Sequence, residues 1–192
     1  MFYFIHDREY IRTIFQFQSM INKEKISFLI LNILDESKKI VTSYSLQQYM
    51  LYDYYELIRN ERKNREKILK KKKQIQKSIH YLKRTKLIQE SGGKIKLSSK
   101  GRIRLIINTS LAYKNKKKKS DFSYLIIFDI PEKHRRIRDL LRRVLYNFGA
   151  EMIQKSVFLI KDKESFLYIR DLVDESKIKS FVKLIECNKL IN

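Results

Sequence analysis

The run KNKKKKSD, Lys114 to Asp121, sets the plan of the chain. Five lysines in six positions repel one another and keep a segment extended and solvated, which predicts a linker between two separately folding parts. Charge differs sharply across it. Residues 1–120 hold 29 Lys/Arg against 10 Asp/Glu, a net of +19, whereas residues 121–192 hold 14 against 11, a net of +3. Rich Lys alone would fit a biased base composition, but that bias does not lower Asp and Glu. A polyanionic partner is therefore expected, engaged mainly by the N-terminal part. Nucleic acid is the first candidate and an anionic membrane surface the second.

Other features narrow the class. The apolar share of 43% supports a packed core. With 4 Gly in 192 residues and Pro131 as the single proline, the chain lacks the punctuation of a turn-rich all-β fold. Cys187 is the only cysteine, which excludes an intrachain disulfide scaffold and a cysteine zinc site. His6, His80 and His134 are too scattered to suggest a His cluster. The apolar run ISFLILNIL is too short to span a bilayer. The opening MFYFI runs into His6, Asp7 and Arg8, unlike a secretory signal. A cytoplasmic protein without a membrane partner is expected.

The first part reads as helices followed by a hairpin. EYIRTIFQFQSMI is amphipathic, and KISFLILNILDES has the character of a core helix. SLQQYMLYDYYELIRN places Leu46, Tyr49, Met50 and Tyr54 on one side, with Ser43 or Ser45 as its cap. A basic helix is expected from about Arg65 to Thr85. Within it Ile75, Ile79 and Leu82 fall at i, i+4, i+7 and define a buried stripe. Lys70, Lys73, Lys77, His80 and Arg84 follow steps of three and four on the opposite face. A cationic stripe set opposite a core stripe suits a helix that lies on phosphates. LIQE and KIKL around Gly92-Gly93 give a β-hairpin, with Lys94 and Lys96 in it. SSKGRIRLIINTSL then reads as a further helix capped by Ser98 or Ser99. Three helices followed by a hairpin is the order of a winged helix-turn-helix.

Beyond the lysine run the pattern changes. YLIIF is a central strand. Ile137, Leu140, Leu141, Val144, Leu145 and Phe148 keep strict helical spacing, and Gly149 ends the helix. AEMIQ and SVFLIKD form a strand pair. KESFLYIRDLVDES carries Phe166, Ile169, Leu172 and Val173 on one face, and SFVKLIEC supplies the last strand. The order β-α-β-β-α-β is ferredoxin-like. The fold class is thus α+β, with a winged helix-turn-helix domain at 1–113, a basic linker at 114–121 and a ferredoxin-like domain at 122–192.

Two sets of motifs carry a family resemblance. Leu82, Leu87, Ile88, Leu97, Ser98 and Gly101 match the recognition helix and wing of many bacterial winged-helix regulators. FDIPEKHRR-x-R-x-x-L, Phe128 to Leu141, and QKSVF, Gln154 to Phe158, resemble the second CRISPR-associated protein, a small adaptation protein. They equally resemble the central domain of PaaX-like transcriptional repressors, which places that domain behind an N-terminal winged helix. The whole chain is similar to a short PaaX-like protein, although such repressors usually carry a further C-terminal region. Duplex DNA is the partner expected from the charge and the cationic helix face, the resemblance implies a homodimer formed through the ferredoxin-like domain, and no cofactor is expected. The small-molecule effector stays unassigned.

Asp129, at the end of the strand YLIIF, admits two readings. It shapes the turn into the helix that Pro131 begins, complementing free N–H groups and the helix dipole. Alternatively it ligates Mg or Mn in a metal-dependent nuclease, as the resemblance to the CRISPR protein implies, paired across a dimer. Within the motif it is the only strand-end acid, and the turn reading needs fewer partners. Arg135, Arg136, Arg138, Arg142 and Arg143 read as a solvated face or a secondary phosphate contact, and the small net charge of residues 121–192 favours the solvated face.

Overall fold

The computed structural model describes residues 23–36, 41–42, 44–48, 50–51, 65–113 and 123–187. The chain divides into two compact units, Met1–Leu97 and Ser98–Asn192. The helix read over EYIRTIFQFQSMI and the run KNKKKKSD lie outside the described residues.

The first unit begins with α1 (Lys23–Glu36) and β1 (Val41–Thr42), followed by helical residues at 44–48 and 50–51. Then come α2 (Arg65–Arg84), β2 (Ile88–Ser91) and β3 (Lys94–Leu97). Strand β1 was not legible in the sequence. It is two residues long, and its pairing with β3, Val41 opposite Ile95, is long-range. The three strands form an antiparallel sheet in the order β1-β3-β2. The core joins Ile26, Ile30 and Leu31 of α1 to Leu46 and Met50, to Ile75, Ile79 and Leu82 of α2, and to Ile95 of β3. Of the two expected caps, Ser43 lies outside the described residues, and Ser45 sits within the helical segment, where it is the partner of the cap Thr42. Thr42 accepts from the Ser45 N–H and donates its own N–H to Ser45 Oγ, both at 3.0 Å. This is a reciprocal capping box in which serine stands in for the usual Glu.

The second unit contains α3 (Ser99–Tyr113), β4 (Ser123–Phe128), a 3-10 turn at Glu132–His134 and α4 (Arg135–Asn147). It continues through β5 (Glu151–Gln154), β6 (Val157–Ile160), α5 (Lys163–Glu175) and β7 (Val182–Cys187). The element order from β4 onward is the expected β-α-β-β-α-β, in an antiparallel sheet ordered β5-β6-β4-β7. Alternate residues of β4, Tyr124, Ile126 and Phe128, are buried beneath the helices with Leu141, Leu145 and Ile169. Leu125 and Ile127 point to the other face, opposite Leu159 and Ile185 and opposite Val157 and Lys183 respectively. Gly149, at φ +76°, ends α4 as expected. Its N–H bonds the Tyr146 carbonyl and the Ala150 N–H bonds the Leu145 carbonyl, the two bonds of a Schellman motif.

The boundary differs from the one the charge run suggests. Helix α3, read as the end of the first domain, packs on α4 and α5 of the second. Tyr113 meets Phe148 edge-on at 5.3 Å and donates to Asp162 Oδ2 at 2.7 Å, and Asn147 donates to Ser110 Oγ at 3.2 Å. Burial and then the Asp162 bond push the Tyr113 phenol above its ordinary pKa. The same Asp162 oxygen accepts the Ser165 N–H at 2.8 Å and so caps α5. The lysine run therefore joins two elements of one unit. Only Ser98 separates β3 from α3, and its hydroxyl caps α3 by accepting the Gly101 N–H at 3.0 Å. Moving residues 98–120 across the boundary also redistributes charge. Met1–Leu97 holds 21 Lys/Arg against 10 Asp/Glu and Ser98–Asn192 holds 22 against 11, so each unit carries +11. The net-charge split no longer singles out the first unit.

Candidate nucleic-acid interface

The case for a site in the first unit rests on the two faces of α2. Its apolar residues recur at helical spacing and are fully enclosed: Ile75 is 0% exposed, Ile79 4% and Leu82 0%. That fixes the rotation of the helix. At 100° per residue, Lys70, Lys73, Lys77, His80 and Arg84 must then face away from the core, and all five are exposed. Among the described residues, none of the five has an ion-pair or hydrogen-bond partner. From Lys70 to Arg84 the stripe runs about 21 Å at 1.5 Å per residue.

Neighbouring lysines on the same helix behave differently, which defines the stripe's edges. Lys83 pairs with Glu90 of β2 and ties the helix to the hairpin. Lys71 is half-buried, and burial lowers its pKa from the ordinary lysine value. Tyr81, 46% exposed and next to His80, flanks the stripe. The sequence reading passed over it, because a tyrosine one step from a cationic row is indistinguishable from a core aromatic until the rotation of the helix is known.

The hairpin is built as expected. Gly92 and Gly93 both take positive φ, +57° and +72°, the pair of angles that a two-residue type I′ turn requires. Across β3 the pleat alternates: Ile95 is buried, and Lys94 and Lys96 are exposed together on the outer side. The seven cationic residues singled out from the sequence are thus all at the surface of one unit, on two elements that pack against each other.

Asp129 is exposed at the end of β4, and its N–H donates to the Phe181 carbonyl at 2.9 Å. Among the described residues its carboxylate has no hydrogen-bond or ion-pair partner. The expected capping contact is corrected: neither Pro131, which precedes the 3-10 turn, nor His134, which precedes α4, marks a helix start with a side-chain cap. The turn is held by other groups. Arg138 donates to the Ile130 carbonyl at 3.2 Å and to Glu132 Oε2 at 2.7 Å. That bond and the Arg138 charge hold the Glu132 carboxyl below its usual range. Arg142 donates to the Lys155 carbonyl at 3.1 Å and lies over the Phe128 ring at 5.7 Å. Arg138 and Arg142 therefore brace the fold and do not belong to a solvated face. Among the described residues, no three His, Cys, Asp or Glu side chains come close enough together to hold a metal ion.

The chain thus combines two α+β units, one with an exposed cationic helix face and the other with a four-stranded antiparallel sheet under helices. Residues 121–191 match the family model described as the PaaX protein central Cas2-like domain, so this part of the chain is similar to that domain. No curated protein and no solved structure matches the chain. Among the described residues, no helix is long and apolar enough to cross a membrane.

Proposed function

We propose that the protein is a DNA-binding transcriptional regulator, a repressor, that reads duplex DNA with its first unit and pairs two copies through its second. The match of residues 121–191 to the PaaX central domain supports the regulatory class. The observation that carries DNA binding is the partnerless cationic stripe of α2, set directly opposite the buried Ile75–Ile79–Leu82 stripe. In this reading the first unit is a winged helix-turn-helix: α2 enters the major groove, and the Gly92-Gly93 hairpin is the wing, with Lys94 and Lys96 at the phosphate backbone. Selection of bound sequences from random duplex DNA tests it. Enrichment of a two-part site supports sequence-specific regulation; recovery of unenriched sequence refutes it.

The second unit, in the same reading, is a ferredoxin-like dimerisation domain. The sheet face that bears Leu125, Ile127, Val157 and Ile185 lies outside the unit's main core, and Ile185 is 40% exposed. A two-fold pairing of such faces would give a DNA-binding dimer with two recognition helices. The full chain is expected to sediment as a dimer at micromolar concentration, and Ile185→Arg as a monomer. A monomeric wild type would remove the basis for half-site reading.

The nuclease alternative makes a different prediction. The lone exposed Asp129 offers one carboxylate where a hard divalent ion requires several oxygens. Wild type is expected to leave linear DNA intact in magnesium or manganese. Asp129→Asn is expected to stay folded and to bind DNA as wild type does. Cleavage by wild type but not by Asp129→Asn would replace the regulator reading with the nuclease one.

A further inference from the structure

We infer that α4 of the second unit is a second phosphate-contacting surface for duplex DNA. This rests on the DNA-binding reading above and extends it to a face that reading leaves unused.

The arginines of α4 fall into two groups. Arg138 is 21% exposed and is committed to Glu132 and the Ile130 carbonyl. Arg142 is committed to the β5–β6 turn and the Phe128 ring. Arg135 lies within 3.8 Å of Glu132 and 3.7 Å of Asp139, which compensate its charge. Arg136 and Arg143 are both exposed, and among the described residues neither has an ion-pair or hydrogen-bond partner. They stand seven residues apart, two turns, and so share one face. Their separation along the axis is about 10 Å at 1.5 Å per residue. That matches about three steps of one DNA strand at roughly 3.4 Å each.

The surroundings of the helix are rigid. Leu141, Val144 and Leu145 on its inner face are all 0% exposed, which fixes its rotation. Arg142 draws the β5–β6 turn against the helix, and this brings the exposed Lys155 beside it. Residues 121–192 carry a net charge of +3, so the attraction of this face for a phosphate backbone rests on the exposed Arg136, Arg143 and Lys155 themselves. A guanidinium without a protein carboxylate retains all its donors for a phosphate, and Arg binds phosphate in a fixed fork geometry. Charge complementarity therefore commits the surface to the backbone of duplex DNA. It contributes grip and register but no base reading.

The test uses the full chain and a random-sequence duplex of 30 base pairs, with affinity measured from 50 to 200 mM NaCl. Arg136→Ala with Arg143→Ala is expected to reduce the slope of log affinity against log salt by about 1.8, two phosphates at about 0.9 each. The far-UV circular dichroism should not change. Arg136→Lys with Arg143→Lys should keep the wild-type slope, which a purely structural role for the guanidinium would not. Lys73→Ala with Lys77→Ala is measured in parallel. If that variant lowers the slope and the arginine variant does not, α4 is merely solvated: the inference fails and the DNA-binding reading stands. If wild type does not bind the duplex, or binds only single-stranded RNA, both fail.

Discussion

Between 50 and 200 mM NaCl, the affinity of the full chain for duplex DNA is expected to fall about 10³-fold or more. The estimate counts the cations of the first unit. Lys70, Lys73, Lys77 and Arg84 on α2 are exposed without protein partners, and Lys94 and Lys96 are exposed on the hairpin. Each phosphate neutralised releases condensed counterions and adds about 0.9 to the salt slope, so these six contacts contribute about −5.4 to the slope of the full chain. Replacing Lys73 and Lys77 together by Ala should make the slope shallower by about 1.8 and weaken binding evenly across sequences. The fold should survive, because neither side chain touches the buried stripe. Fluorescence anisotropy at four salt concentrations measures all of this. A double variant with the wild-type slope would show that the stripe is an ordinary solvated face.

The second large effect lies on the other side of the same helix. Ile79→Ala is expected to destabilise the protein by about 2–5 kcal/mol, through lost burial and an incompletely collapsed cavity. Ile79 is 4% exposed and sits between Ile75 and Leu82, both at 0%, in a small core that also takes Ile30 and Leu46. A loss of that size is a large fraction of the stability of a domain of this size. Urea unfolding measures it through the shift in midpoint. DNA binding should persist in the folded fraction with its salt slope unchanged. A change below about 1 kcal/mol would mean that α2 is not anchored by this stripe, and the rotation argument for the cationic face would fall with it.

Both predictions depend on periodicity, and periodicity is what the sequence alone determined. The rotation of α2, the helix from Arg135 to Asn147 with Gly149 behind it, and the Gly92-Gly93 turn all follow from local rules. Each is set by residues within a few positions of one another, as side-chain spacing and allowed φ demand. The order β-α-β-β-α-β followed in the same way, as did the seven cationic positions on α2 and the hairpin.

What the sequence could not determine was anything decided between distant segments. Two-residue β1 exists because Val41 meets Ile95, a pairing without local signature. Arg138 and Arg142 look like their solvated neighbours until the turns they bridge are in place. Asp129 looks like a cap because an acid precedes a proline and a helix, yet the chain leaves β4 with its N–H on Phe181, far along the sequence, and the carboxylate turned outward. The unit boundary shows the limit most clearly. A run of like charge marks where a chain is solvated, and solvated segments also occur inside a unit. Tyr113, Ser110 and Ile106 decided where α3 belongs, by packing and hydrogen bonding with Phe148, Asn147 and Asp162. Tertiary contact therefore assigned α3 to the second unit, because packing partners far along the sequence, and not local charge, fix where a helix is buried.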